Sequence, residues 1–456
     1  MKTALEIRNF FLQIQRNFAQ GKAMRASVWA IALPVMLANV TVPFVGMVDT
    51  AVMGHLDQAH YIGGVAMGSF IFSLITVTFG FQRMATTGLI AQANGAGDRD
   101  AIFMTMYRGI VIALILGGFI IILSMPIVAL AKFALTASDA VLAGMDTYVG
   151  IMAWSGPAIC LNMVGLGVLF GLQRVRFCMV HLITLNSINI IANLIFVFGL
   201  GMKIDGVALA SVLAQYVGLL VMAILIRLAL GQFNGWRAFR IAEAVAIGAL
   251  SRYAALGRDL TIRTLAIILG EVIVLNASAG MGDEVIAASQ IGFVIFGIMA
   301  YSLDGFAHAA EALVGTAVGK RSLPDLDHAI RESTLLAVMT AAVMGMVIYL
   351  FGPSFMRVLT SIPDVLAAAD QIILWLAIMP IISVWAFQMD GVFIGATKAT
   401  IMRNAMMVSM LVFVPLVFIG REFAGLDGIW IAFNVLLAMR GITLWVKIND
   451  VRAEAR

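Results

Sequence analysis

Long apolar runs, separated by short polar or Gly/Pro-containing breaks, recur along the whole chain. Twelve of them can be cut, at about 27–53, 62–93, 102–130, 142–171, 176–200, 206–229, 253–278, 284–317, 328–352, 364–395, 399–420 and 426–447. Each reaches the roughly 20 residues that a helix needs to cross hydrocarbon. A segment buried in lipid must satisfy its own backbone hydrogen bonds, so the pattern predicts an all-α integral membrane protein of twelve transmembrane helices.

Composition agrees: 62% of the 456 residues are hydrophobic and 12% are charged, about half the charged share of a soluble domain. The distribution of basic residues tests the span limits independently of hydropathy. With the N-terminus inside, the inner side receives the leader charges Lys2, Arg8, Arg16, Lys22 and Arg25, and later Arg99, Arg174, Arg176, Arg227, Lys320, Arg321, Lys398, Arg440, Lys447 and Arg452, among others. The outer side receives only Lys132, Lys203, Arg357 and Arg421. That asymmetry predicts both termini in the cytoplasm. The leader, 1–26, reads as a cytoplasmic amphipathic segment and not as a cleaved signal. A net charge of +4 gives no indication of nucleic acid. Cys160 and Cys178 lie in or beside different spans, which reads as packing and implies no disulfide framework.

A repeat is visible at an offset of about 224. Thr87-Gly-Leu-Ile-Ala-Gln-Ala-Asn-Gly95 ends the second span as Glu311-Ala-Leu-Val-Gly-Thr-Ala-Val-Gly319 ends the eighth, and Leu169-Phe-Gly-Leu-Gln-Arg174 matches Phe393-Ile-Gly-Ala-Thr-Lys398. Six spans is an even number, so the two copies should share one orientation and be related by a pseudo-two-fold along the membrane normal. The expected organisation is an N-lobe at 27–229, an interfacial connector at 230–250, a C-lobe at 251–447 and a cytoplasmic tail at 448–456.

Few ionisable groups fall inside the spans, and each is expensive there unless it faces a partner or a cavity. The first span carries Asp49 together with Pro34 and Pro43, so it reads as a bendable helix with a titratable group; the alternative is a kinked span with Asp49 among the outer headgroups. Asp304, His308 and Glu311 share one face of the eighth span at i, i+4 and i+7. They read either as a structural network that includes Arg263, or as part of a proton path or cation site. Glu271 and Asp390, on the seventh and tenth spans, would form an acidic cluster with Asp304. Asn186, Asn189 and Asn193 lie on the fifth span; such amides serve as helix–helix glue, or here would turn their oxygens toward Asp49. Val314 to Ser322 lacks the glycine and hydroxyl of a Walker A loop, and His55, His60, His181 and His328 lack metal-ligand spacing. The sequence therefore calls for no cofactor and no metal, and for energy from an ion gradient.

Ala32-Leu-Pro-Val-Met, Val48-Asp-Thr-Ala-Val-Met-Gly-His-Leu56, Gly305-Phe-Ala-His-Ala-Ala-Glu-Ala312 and Asp390-Gly-Val-Phe-Ile-Gly-Ala-Thr397 resemble the multidrug and toxic compound extrusion (MATE) transporters, in particular their DinF-like bacterial branch. The resemblance implies two six-helix bundles in the bacterial inner membrane. It also implies export of lipophilic or cationic small molecules, by a monomer, in exchange for protons and possibly sodium, with no enzymatic step. Asp49 would be the coupling group, with Tyr148, Asn189 and Ser211 as polar partners. Asn193 stands where many members carry a second acid, which puts a two-acid relay in doubt. The cation-site acids of the sodium-linked branch fall on Glu271 and Asp390. A lipid-linked saccharide flippase and an intramembrane enzyme are the alternatives; the first calls for a more cationic cavity, the second for a nucleophile or metal set that the sequence does not offer.

Overall fold

The structure, a computed structural model, describes residues 21–39, 48, 52–54, 60–134, 137–231, 233, 243 and 245–456. Helix α1 covers 21–39. It is followed by α2 (His60–Thr78), α3 (Phe81–Gly95), α4 (Arg99–Ala134), α5 (Asp139–Met152), α6 (Gly156–Gly171), α7 (Val175–Asn193) and α8 (Ile204–Leu230). The second repeat supplies α9 (Ile247–Ala279), α10 (Asp283–Gly319), α11 (Leu323–Leu359), α12 (Pro363–Gly395), α13 (Ala399–Trp445) and the short α14 (Ile448–Glu454).

Ten stretches among the described residues are long and apolar enough to cross a membrane. The stretch at Ala399–Glu454 is really two spans, because Gly425 breaks the helix with φ 59° and ψ −131°. The described stretches thus supply eleven of the twelve crossings read from hydropathy; of the first span, 27–53, the structure describes 27–39, 48, 52 and 53. Helices α4, α11, α12 and α13 each keep an internal proline, at Pro126, Pro353, Pro380 and Pro415, and α1 carries Pro34. A spanning helix tolerates such a proline where neighbouring helices, side chains or local adjustment take up the carbonyl it frees.

The repeat is carried in the backbone itself. Positive φ recurs at three pairs of positions, each pair 224 apart: Gly97 and Arg321, Gln173 and Thr397, Gly201 and Gly425. The first two pairs close helices in the left-handed turn that returns amide protons to the last carbonyls. Asp98 N donates to Ala93 O at 2.9 Å as Ser322 N donates to Ala317 O at 3.1 Å. Packing follows the same offset. A Cβ added at Gly167 would lie 2.7 Å from Arg83 O, and one at Gly391 would lie 2.1 Å from Ala307 O. Gly171 and Gly395 press as closely on Ala91 N and Glu311 O. Small residues let these helix backbones approach where lipid supplies no hydrophobic drive.

The chain forms two compact units, residues 37–264 and residues 1–36 with 265–456. These limits depart from the expected lobes in two places: the 21–36 half of α1 groups with the second repeat, and α9 up to 264 groups with the first. The core of the first unit gathers Met53, Phe72, Met145, Tyr148, Val197 and Val207. The other unit is centred on Phe306, Phe393, Phe413 and Trp430, and Trp430 stacks with Phe293 and Phe433. Cys160 and Cys178 are buried free thiols. Of the expected connector, Phe233 is held by Arg99, whose Nη2 donates to its carbonyl at 2.7 Å.

Candidate functional site

In the first unit, α7 and α8 bring together three of the residues singled out from sequence. Asn189 Nδ2 donates to Ser211 Oγ at 2.9 Å, and Asn193 Nδ2 donates to Asn189 Oδ1 at 3.2 Å. The donors thus run in one direction along the face of α7, and the helical spacing of 189 and 193 makes the link possible. Both asparagines are buried, Asn193 completely. At Asn193 the α-helix passes into a π-helical turn, Leu194–Gly199, with Leu200 N donating to Ile195 O. A π turn shifts the register of the side chains that follow it, a device frequent at functional sites.

Tyr148, 4% exposed, belongs to the adjoining core cluster with Val52, Met53, Val197 and Ile204, and Val48 packs against it. Its ring takes the space that a side chain at residue 68 would need, a Cβ on Gly68 coming within 2.7 Å. Asp49 and Pro43 lie outside the described residues. Pro34 is half-buried inside α1. It has no amide proton for the carbonyl of Ala30, so the helix is weakest there.

Sequence reading missed the continuation of the amide track. Gln215 stands one turn beyond Ser211 on α8, and both its backbone carbonyl and its Oε1 accept from Asn162 Nδ2, at 3.0 and 3.1 Å. An asparagine inside the apolar run of α6 was the available signal.

The second unit sorts its ionisable groups into pairs. His308 Nδ1 and Glu311 Oε2 are 3.2 Å apart, with Glu311 buried where Gly395 of α12 presses on its backbone. Asp304 lies one turn before His308 on the same helix. Asp390 is ion-paired with Arg440 of α13, both buried, and the Arg440 guanidinium also lies 5.7 Å over the Phe387 ring. Arg440 was counted from sequence among the cytoplasmic basic residues; it is instead 6% exposed inside its unit. The reason is local: a buried carboxylate on the neighbouring helix needs a counter-charge. Glu271 is half-buried on α9, and none of the ion pairs among the described residues includes it. Arg263 is 6% exposed and falls by its contacts in the first unit, one residue before the limit at 264. Among the described residues, no group of three His, Cys, Asp or Glu side chains is arranged to hold a metal ion.

The MatE family model matches the chain twice, at residues 34–195 and 261–419. DNA damage-inducible protein F of Escherichia coli (strain K12) is 37% identical over 422 residues, covering 92% of this chain and 90% of that protein. A probable multidrug resistance protein NorM of Neisseria meningitidis serogroup B is 25% identical, covering 76% of each chain. Among solved structures, a MATE protein in the bent conformation superposes with a TM-score of 0.85 at 19% identity over 96% of this chain and 99% of that one. The Vibrio cholerae MATE transporter VcmN, in a substituted form, gives 0.84 at 16% identity over 95% and 98%. At such identities the structures speak for the fold, while the family match and the Escherichia coli relative decide membership. With two family matches laid over two backbone repeats, the chain belongs to the MatE family.

Proposed function

We propose that this protein is a secondary active exporter of lipophilic or cationic small molecules, driven by protons, with Asp49 as the group that couples the two fluxes. The observation that supports this most is the buried track Asn193–Asn189–Ser211, whose Ser211 lies on α8, the helix whose Val207 and Ala208 share a core cluster with Tyr148. Val48 and Val52 bracket Asp49 in sequence and both pack into that core. Relatives described as probable multidrug resistance proteins support a broad small-molecule substrate range.

The chemistry follows from donors and acceptors. Ser211 Oγ accepts from Asn189 and keeps its own hydroxyl proton to offer to an anion. Amide and hydroxyl donors of this kind suit an ionised carboxylate such as that of Asp49, whereas a protonated one brings a proton of its own and needs an acceptor. Taking up a proton from outside thus weakens the grip of the site on Asp49 and on a cationic substrate together. The first span can then bend at its prolines, and substrate leaves outward. One charge moving through about 100 mV supplies about 2.3 kcal/mol, close to fifty-fold in concentration.

Two features favour protons over sodium. Asn193 offers an amide where a cation site would gain from a carboxylate, and the charge of Asp390 is already balanced by Arg440. The chain works as a monomer in the bacterial inner membrane with both termini inside. In proteoliposomes, adding a lipophilic cation should release protons equally with and without sodium; sodium-dependent uptake without proton movement would refute the reading.

A further inference from the structure

Within the second unit, α12 runs side by side with α13 and α14 in one direction, at a constant offset of 56 positions. Gln371 meets Asp427, Trp385 meets Gly441, and Lys398 pairs with Glu454. Only glycine permits the middle contact, since a Cβ at 441 would lie 2.9 Å from Trp385 Cβ and 3.2 Å from Ala386 N. Beside it lies an open groove of about 520 Å³, within the range of roughly 300–1,000 Å³ typical of small-molecule sites. The buried Met389 and Gly441 form its floor, and Trp385, Ile442 and Trp445 stand exposed along its rim.

The two indoles meet edge to face with centroids 6.2 Å apart, and they are 42% and 50% exposed. Rings left that open are not core packing. Neither indole N–H has a protein acceptor among the described residues, in contrast to Trp375, whose Nε1 donates to Asp427 at 2.7 Å. The offset sets Trp445 level with Met389, six residues or about 9 Å before α12 ends at Gly395. That is the depth at which tryptophans collect in spanning helices, with the ring at the edge of the hydrocarbon and the N–H among the headgroups.

Charge narrows the choice of occupant. Lys447, two residues beyond Trp445, is exposed, and its ammonium has no ion-pair partner among the described residues, Asp450 included. Lys398 and Arg452 near the same end are taken up by Glu454 and Asp327. No acidic residue lines the groove, and Asp390, next to its floor, is buried and paired with Arg440. A lipophilic cation would suit the ring faces but would meet a free lysine. An anion carrying a hydrocarbon tail suits the apolar floor, the two indole N–H donors and the lysine together.

We propose that this groove binds an anionic phospholipid. One acyl chain lies along Met389 and Gly441 against the two indoles, and the phosphate meets the Lys447 ammonium at the Trp445 end. Every element belongs to the 265–456 unit, and the inference does not depend on the transport reading.

The full chain in phosphatidylcholine vesicles that carry rising fractions of lipid brominated along its chains tests this, because bromine quenches an indole on contact. Both leaflets carry the lipid, so orientation does not enter. The part of the tryptophan fluorescence that Trp385→Phe with Trp445→Phe removes separates the groove from the other five tryptophans. Brominated phosphatidylglycerol should half-quench that part at a mole fraction about fivefold lower than brominated phosphatidylcholine, the gain expected from one lysine facing an anionic headgroup. Equal fractions would overturn the proposal, since indoles in ordinary contact with a bilayer do not distinguish headgroups. Lys447→Gln, at an exposed position, should bring the two curves together; a surviving preference would overturn the role given to the ammonium. Ala438→Phe fills the groove and should abolish the preference, whereas a full preference in that variant at the parental melting midpoint would place the lipid elsewhere. Displacement of brominated phosphatidylglycerol by micromolar tetraphenylphosphonium would mark a small-molecule site instead and would equally overturn the proposal.

Discussion

Replacing Arg440 by Met strands the carboxylate of Asp390 in the interior of a membrane-spanning unit. Asp390 is 6% exposed and Arg440 likewise, so neither has water to fall back on. Removing one partner of a buried ion pair costs about 3–5 kcal/mol, whereas replacing both by apolar groups of similar volume is often neutral or stabilising. Arg440→Met alone should therefore lower the thermal unfolding midpoint in detergent by roughly 6–20 °C, taking about 2–4 °C per kcal/mol for a cooperative unit near 200 residues. Asp390→Leu combined with Arg440→Met should recover most of that loss. A second consequence concerns the ion. With its counter-charge gone, Asp390 becomes a vacant acid, so 100 mM sodium should raise the midpoint of Arg440→Met and leave the parent unchanged, as expected for a ligand that binds only the folded state. The assay is intrinsic-fluorescence melting of purified protein with sodium or choline chloride. An Arg440→Met protein as stable as the parent would refute the claim that the pair is mutually dependent. Sodium stabilisation of the parent itself would refute the claim that Arg440 satisfies Asp390.

Gly391→Val should cost about 3 kcal/mol or more, because a Cβ there would lie 2.1 Å from the backbone oxygen of Ala307 and backbone cannot step aside as a flexible side chain can; size-exclusion yield and melting in detergent check this. Arg321→Gly should stabilise by about 1 kcal/mol, since residue 321 holds φ 53° where its repeat counterpart is Gly97 at φ 69°, and the left-handed conformation costs an L-residue about 1–2 kcal/mol; an unchanged melting midpoint would count against it. Asn193→Asp adds an acid at the end of the amide track and should change the pH or sodium dependence of dye export; identical profiles would leave Asn193 a purely structural role.

Much of the architecture was legible because lipid simplifies the code. Span limits followed from apolar length, and the internal duplication showed in the Thr87–Gly95 and Glu311–Gly319 rhythm that the backbone repeats 224 residues on. The Asn189–Ser211 link was foreseen only as a set of polar partners, since spacing along α7 says which residues share a face but not which neighbour they meet. The pairing of Asp390 with Arg440 was hidden for the same reason: fifty residues separate them, and an arginine near the inner end of a span counts toward topology whether it faces water or core. The grouping of 21–36 with the second repeat, and of α9 up to 264 with the first, left no trace in hydropathy, because apolar length does not say which neighbour a helix meets. Gln215 and Asn162 were overlooked because single amides in apolar runs are ordinary helix–helix contacts until a second one is found one turn away.

The most direct measurement is substrate-driven proton release in proteoliposomes reconstituted with the parent and with Asp49→Asn at equal protein density. Proton release should be lost in the variant while it still binds the dye. Proton release and export at parental rates in Asp49→Asn would contradict the account, because no other group in the first unit is assigned to carry the coupled charge.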